Sequence, residues 1–144
     1  MKINIPRSAA VKLVEALQKI LFVSGGDESS EPIERPLPFG LKYKLVTNYN
    51  SLATVAAEYE VKRREIIKKY GTENEETHEY SIQDEEAKNK ALDEIFGLLK
   101  ENVLIEILKV PTKEIESVGG GESIEISSLD ILLIQTYLVE KEGN

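Results

Sequence analysis

The 144-residue chain contains no cysteine, no tryptophan, one methionine and one histidine. Without cysteine it can form neither a disulfide nor a thiolate metal site, and this composition fits a reducing compartment. A nucleophilic triad needs a base held against a serine or cysteine, and the single histidine lies in an acidic turn. The sequence therefore disfavours that class of enzyme.

Long hydrophobic runs are also missing. The apolar start of the chain is interrupted by Glu15, Gln18 and Lys19, so it lacks the continuous core of a signal peptide. No segment approaches the roughly 18 uninterrupted apolar residues that a membrane span needs. We therefore expect a cytoplasmic protein that does not bind membranes.

Acidic residues outnumber basic ones across the chain. There are 26 Asp and Glu against 18 Lys and Arg, which gives a net charge of −8 and a pI near 4.8. A nucleic-acid duplex or an anionic bilayer would repel such a surface, whereas a basic protein surface would be attracted. The charge balance favours another protein as the partner and disfavours nucleic acid.

The longest periodic pattern predicts a helix from Leu41 to Tyr70 that stops at Gly71. One face carries a stripe, which we call the helix seam: Leu45, Tyr49, Leu52, Ala56, Tyr59, Arg63, Ile66 and Tyr70. A single helix cannot shield this seam from water, so the seam must pack inside the chain or form an oligomer interface. The weakest helix formers lie at Asn48–Asn50, where the helix either bends or continues and projects.

The sign of the charge reverses across Gly71. The last turns of the long helix carry a basic group: Lys62, Arg63, Arg64, Lys68 and Lys69. An acidic turn follows, with Glu73, Glu75, Glu76, Glu79, Asp84, Glu85 and Glu86. Because glutamates are interleaved with the basic group, we interpret that group as a salt-bridged helix face. The acidic turn is the candidate partner-binding surface, and we expect one of its carboxylates to pair with Arg63 of the seam.

Shorter helices are predicted on both sides of the long one. A first amphipathic helix runs from Pro6 to Phe22, and a proline-rich loop leads from it into the long helix. After a short strand at Glu79–Ile82, a third helix extends from Gln83 to Lys100, with Leu92 among its inward residues. The second and third helices together form a long helical hairpin.

The C-terminal part of the chain predicts strands and one more helix. An apolar strand at Val103–Val110, buried on most of both faces, pairs antiparallel with Ser123–Ile126. A final helix spans Leu129–Glu140 after a cap at Ser127 or Ser128. The predicted fold class is α+β, helix-dominated, with the helical hairpin and a small antiparallel strand pair. We expect a single domain with three parts: the first helix and proline-rich loop (1–40), the hairpin (41–100), and the strand pair with the last helix (101–144).

Motifs that carry chemistry are weak in this sequence. His78 lies near Glu75, Glu76 and Glu79, a set that could hold a cation but is more typical of a solvated loop. The glycine run at Gly119–Gly121 has no lysine and is followed by an acid, so it is a poor phosphate cradle. We therefore predict no catalytic, cofactor-binding or metal-binding residue, and a protein that is not an enzyme.

The order of motifs in the second part of the chain resembles a known group of proteins. The run Tyr59–Gly71 (YEVKRREIIKKYG), the acidic turn, a helix ending Leu98-Leu99, the apolar strand Val103–Val110 and a helical tail together resemble small uncharacterised proteins of tailed bacteriophages. The resemblance covers residues 41 to 140. It implies a phage origin and a binding role, and it carries no active site over to this chain.

These observations lead to three functional hypotheses. The first is a phage-encoded acidic interaction protein that binds and modulates or inhibits a host protein in the cytoplasm of the infected cell, for host takeover or anti-defence. The alternative is a self-associating assembly or structural accessory protein of the virion, held together by the helix seam or by the apolar final helix. The third is a small-ligand sponge with a pocket between subunits.

Overall fold

The computed structural model describes residues 1–23, 33–117 and 126–140. Five helices dominate it: α1 (Arg7–Leu21), α2 (Phe39–Tyr70), α3 (Glu85–Lys100), α4 (Thr112–Ser117) and α5 (Ser128–Tyr137). The strands are short: β1 (Lys2–Pro6), β2 (Phe22–Val23), β3 (Ile33–Glu34), β4 (Thr72–Glu73), β5 (Tyr80–Ser81) and β6 (Asn102–Glu106). The predicted helix-dominated α+β fold, with its long helix and small antiparallel strand pair, is confirmed.

Helix α2 is helical over all 32 residues, including Asn48–Asn50. Its buried residues follow a strict alternation of four and three positions: Leu41, Leu45, Asn48, Leu52, Val55 and Tyr59. Helix α1 packs against this face with its own buried side, which includes Leu13 and Leu17. Asn48 and Val55 are thus buried where the seam predicted Tyr49 and Ala56, which are half-buried.

Asn48 is buried because its side-chain amide hydrogen-bonds the backbone of Leu108 in the way that a neighbouring strand would. Its Nδ2 donates to the Leu108 carbonyl oxygen at 2.8 Å, and its Oδ1 accepts from the Leu108 N–H at 2.7 Å. Both polar ends of the side chain are therefore satisfied inside the protein, as a buried amide requires. This contact joins the middle of α2 to the segment that follows β6.

The principal sheet pairs β1 with β6 in antiparallel register, Lys2 opposite Glu106 and Pro6 opposite Asn102. The predicted pairing of Val103–Val110 with Ser123–Ile126 falls largely outside the described residues; among those described, the neighbour of β6 is the N-terminal strand β1. Residues 123–125 lie outside the described residues, and Ile126 is not in a strand. The alternation of Ile3 and Ile5 with polar residues is the signal typical of a half-buried strand.

Strand β6 also ends sooner than predicted and has one open face. Ile105 is buried, but Leu104 on the other face is 61% exposed, so the expectation of burial on both faces is wrong. Beyond β6, Val110 bonds to the segment after α5, donating to the Leu138 carbonyl and accepting from the Glu140 N–H. That pairing ends α5 at Tyr137, three residues before the predicted Glu140.

Hydrogen bonds from polar side chains fix the N-terminal ends of α1 and α5. Arg7 at the start of α1 is buried and donates to the Leu98 carbonyl at 2.9 Å and to Glu101 at 2.7 Å. Ser127 caps α5 by accepting from the Asp130 N–H at 3.1 Å, as one of the two predicted serine caps. In the described ranges, no helix is both long and apolar enough to cross a membrane.

Candidate interaction surface

The helix seam divides into a covered half and a half near the surface. Leu45 and Leu52 are fully buried and Tyr59 nearly so, all within the chain itself. Tyr49 and the members after Tyr59 are half-buried, and the Tyr49 hydroxyl accepts from Gln18 Nε2 at 2.9 Å. A second chain could reach the first half of the seam only if α1 moved away.

Arg63 does not reach the acidic turn. Its Nε and one terminal nitrogen donate to the two carboxylate oxygens of Glu60 at 3.3 and 3.2 Å. The expectation of a partner among Glu73 to Glu86 is therefore wrong, because a carboxylate one turn back on the same helix is closer than the turn beyond Gly71. Both side chains are more than a third exposed, so this pair adds little to stability.

Gly71 fixes the acidic turn onto the end of α2. A Cβ at this position would lie 2.6 Å from the Ile67 carbonyl oxygen and 3.1 Å from that of Ser81. Only glycine lets the β4–β5 hairpin approach the helix this closely, with Thr72 opposite Ser81. The ammonium group of Lys68 lies 5.6 Å from the centre of the Tyr80 ring and adds a second contact across the junction.

The loop of this hairpin has its own set of hydrogen bonds. Asn74 Oδ1 accepts from the Glu76 N–H at 2.9 Å, and the Asn74 carbonyl accepts from the His78 N–H at 2.8 Å. His78 has a positive φ of 59°, and its Nδ1 lies 3.1 Å from Glu73 Oε1. These contacts hold the acidic turn in one conformation.

The seven predicted partner-binding acids are all exposed: Glu73, Glu75, Glu76, Glu79, Asp84, Glu85 and Glu86. Three of them have contacts: Glu73 with His78, Asp84 as the cap that accepts from the Ala87 N–H, and Glu86 with a lysine 3.7 Å away. The carboxylates of the other four have no ion pair within the described part of the chain. We call residues Thr72 to Glu86, which include all seven acids of the acidic turn, the acidic tip.

The basic group behind the acidic tip is partly engaged inside the chain. Lys69 Nζ donates to Glu94 of α3 at 3.0 Å and lies 5.1 Å from the centre of the Tyr70 ring. The Glu94 carboxylate raises the pKa of Lys69, and the lysine lowers the pKa of Glu94. Lys69 thus pairs across the helical hairpin with Glu94 rather than with a carboxylate of the tip.

An open groove of about 620 Å³ lies between the C-terminal half of α2 and α3. Its lining mixes charges with an apolar floor: Lys62, Glu65, Ile66, Lys69, Glu94, Gly97, Leu98 and Glu101. The Arg7 guanidinium lowers the pKa of Glu101 at one end. Among the described residues, no three histidine or carboxylate side chains are grouped so as to hold a metal ion.

An exposed apolar strip on α3 was not anticipated from the sequence. Leu92 is 41% exposed and Phe96 54%, whereas Ala91 is the buried residue of this helix. The expectation that Leu92 faces inward is wrong. The spacing of Leu92, Ile95, Phe96 and Leu99 is the signal that could have found a second apolar face, since it is distinct from the face of Ala87, Ala91 and Leu98.

No protein-family model, no curated protein and no solved structure matches this chain. Two surfaces of this chain stand out, the acidic tip and the apolar strip of α3.

Proposed function

We propose that this chain is a non-enzymatic interaction protein whose acidic tip docks on a basic surface of another protein and modulates or inhibits it. One observation carries the proposal: most carboxylates of the tip face solvent without a cation from residues 1–23, 33–117 or 126–140. Such carboxylates are free to pair with lysine or arginine side chains of a partner.

The conformation of the tip supports this role. Gly71, the bonds of Asn74 and the contact of His78 with Glu73 hold the backbone that bears the carboxylates in a fixed arrangement before any partner arrives. A fixed arrangement lowers the conformational entropy lost on binding. The net charge of −8 adds long-range attraction, which raises the association rate with a basic surface and weakens as salt is added.

The identity of the partner class follows from the sequence resemblance, which implies a phage protein acting in an infected cell. Under this proposal the partner is a host protein with a basic surface, and its usual ligand at that surface is an anion. The protein then acts by occupying that surface, in host takeover or in anti-defence.

Affinity capture from bacterial lysate at low salt tests the proposal. The wild-type chain should retain a basic host protein, and the variant with Glu75→Lys and Glu76→Lys should lose it, because the substitutions replace two solvent-facing carboxylates by cations. The captured protein is then identified, purified and titrated at rising salt, where the affinity should fall steadily.

A matched control separates the tip from net charge alone. Glu58 and Glu65 are exposed on α2 outside the tip, so replacing both by lysine changes the net charge equally. This control variant should retain the host protein. Equal loss in both variants, or no host protein retained at low salt by the wild type, contradicts the proposal.

Self-association is the second candidate, and the exposed apolar strip of α3 favours it. It corresponds to the alternative of a virion assembly or accessory protein, with a different surface from the two that the sequence suggested. The sponge hypothesis has no comparable support, since the groove between α2 and α3 is open and carries charges of both signs.

A further inference from the structure

The apolar strip of α3 consists of Leu92, Ile95, Phe96 and Leu99. These residues recur at the spacing by which one helix packs against another. Leu92 and Phe96 are 41% and 54% exposed, while Ile95 and Leu99 are half-buried at its edge. The helix already buries its other face, around Ala91, against the rest of the chain, so the strip is a second packing face.

One edge of this strip carries two charges of opposite sign. Asp93 and Lys100 are both exposed, and they lie seven residues apart on α3. Seven residues are nearly two full turns of an α-helix, so both side chains lie on the same side of the strip. Neither of them has an ion-pair partner within residues 1–23, 33–117 and 126–140, and the two are too far apart along the helix to pair with each other.

We propose that a second copy of this chain covers the strip, with the two α3 helices packed antiparallel about a two-fold axis near Ile95 and Phe96. In this arrangement Leu92 of one copy faces Leu99 of the other, while Ile95 and Phe96 each lie beside the same residue of the other copy. The same axis places Asp93 of each copy beside Lys100 of the other. The pattern of α3 is therefore complementary to its own reversed copy in both apolar contacts and charge.

A parallel arrangement does not use these charges. In a parallel pair, the edge with Asp93 and Lys100 faces the opposite edge of the second strip, where the apolar Ile95 lies rather than a charged partner. A basic partner helix would satisfy Asp93 but would face Lys100 as a like charge. The antiparallel second copy is the occupant that satisfies both residues.

The expected dimer is weak. Helix α3 has 16 residues and is about 24 Å long at a rise of about 1.5 Å per residue. A single pair of such helices buries less than the roughly 800 Å² per partner of a standard interface, so we expect reversible association that depends on concentration. The acidic tips, which precede α3, would then lie at opposite ends of the pair.

Sedimentation equilibrium over a range from low micromolar to near-millimolar protein tests the dimer. The average mass should rise from 16.2 kDa toward twice that value. Phe96→Glu should abolish the rise, because it places two like charges in the apolar centre. Leu104→Glu is the matched control: Leu104 is 61% exposed on the outer face of the sheet, and its variant should dimerise like the wild type.

A charge exchange tests the arrangement itself. Asp93→Lys and Lys100→Asp should each weaken the dimer roughly tenfold, because each places like charges opposite one another. The double variant should recover the wild-type association. These residues lie outside the acidic tip, so the outcome is independent of binding to a host protein.

Three results would overturn the proposal. A constant monomer mass at the highest concentration removes the dimer. Equal loss of association in the Phe96 and Leu104 variants, both still folded by their melting transitions, removes the strip as the interface. Failure of the double charge exchange to recover association contradicts the antiparallel arrangement.

Discussion

The two halves of α2 have different surroundings on the same helix. From Leu41 to Tyr59 every third or fourth residue is buried against α1 and the segments near the sheet. After Tyr59 the helix has no buried residue, and it carries instead the groove, the basic group and the acidic tip. The first half of α2 therefore stabilises the domain, and the second half is a surface open to solvent and to other molecules.

The largest effect is expected in the first half. Leu52 is fully buried, and Leu52→Asp places an unpaired charge in the core, which should cost several kcal/mol, about 3 to 5, and unfold the protein. Val61 on the same helix is 56% exposed, so Val61→Asp should leave the melting temperature nearly unchanged. If circular dichroism shows that Leu52→Asp melts like the wild type, the assignment of the core is wrong.

A smaller loss is expected at Asn48. Asn48→Ala removes both hydrogen bonds to Leu108 and leaves the N–H and carbonyl of this half-buried residue without their partner in α2, at a cost of about 2 to 4 kcal/mol. Asn50 is exposed two residues away, so Asn50→Ala should change the free energy of unfolding by less than about 0.5 kcal/mol. Urea denaturation measures both. Equal values for the two variants would show that the amide contact contributes nothing.

Two glycines beside the second half of α2 should respond to alanine in opposite directions. Gly71→Ala forces a Cβ against the Ile67 carbonyl oxygen and should destabilise by about 1 to 3 kcal/mol. Gly97 has no atom within 4 Å of a Cβ and lies inside α3, so Gly97→Ala should stabilise by about 0.5 to 1 kcal/mol. Thermal unfolding of both variants decides this. A stabilising Gly71→Ala would mean that the hairpin does not pack tightly on α2.

The smallest expected effect is the pH dependence of stability that arises from Asp130, a buried residue of α5. Burial works to raise the pKa of Asp130, but its contacts with Lys19 and Ser127 prevail and hold that pKa below its usual value. The folded state then binds this proton more weakly than the unfolded state. The stabilisation is therefore present above pH about 4 and is lost as the pH falls through the lower pKa of the folded state.

Asp130→Asn should accordingly flatten the acid side of the stability profile, measured by urea denaturation at several pH values. A residual slope should persist, because the pKa values of Glu94 and Glu101 are also lowered in the fold. Glu15→Gln, at an exposed site of α1 without an ion pair in the described part of the chain, is the control and should leave the profile as it is. An unchanged profile for Asp130→Asn would contradict the role of its pair with Lys19.

Helices could be predicted from the sequence because their signals are local. The run from Leu41 to Tyr70 has the correct period and a glycine at its end, and the structure begins it only two residues earlier. The choice of buried face was harder. Asn48 looks like a weak helix residue, and only the backbone of Leu108, sixty positions away in sequence, explains why it is buried rather than Tyr49.

The contacts that could not be predicted from the sequence are those between distant segments or competing faces. No sequence pattern between Lys2 and Glu106 indicates that their strands pair. Ile3 and Ile5 therefore predicted an extended segment but not its partner. Helix α3 has two apolar faces, and nothing in its own sequence decides whether Ala91 or Leu92 faces the core. The acidic tip could be located because a cluster of charged residues is recognisable without its tertiary context.

The pairing of β1 with β6 also sets an order of events during translation. Strand β1 emerges from the ribosome before α2 and α3, but its hydrogen-bonding partner β6 emerges only after both of these helices have been synthesised. The helical hairpin can form from contacts between residues that are close in sequence, while the backbone hydrogen-bonding groups of β1 are still unpaired. Joining β1 to β6 is therefore a late step, and a ribosome that stalls before Asn102 leaves β1 without the strand that pairs with it in the fold.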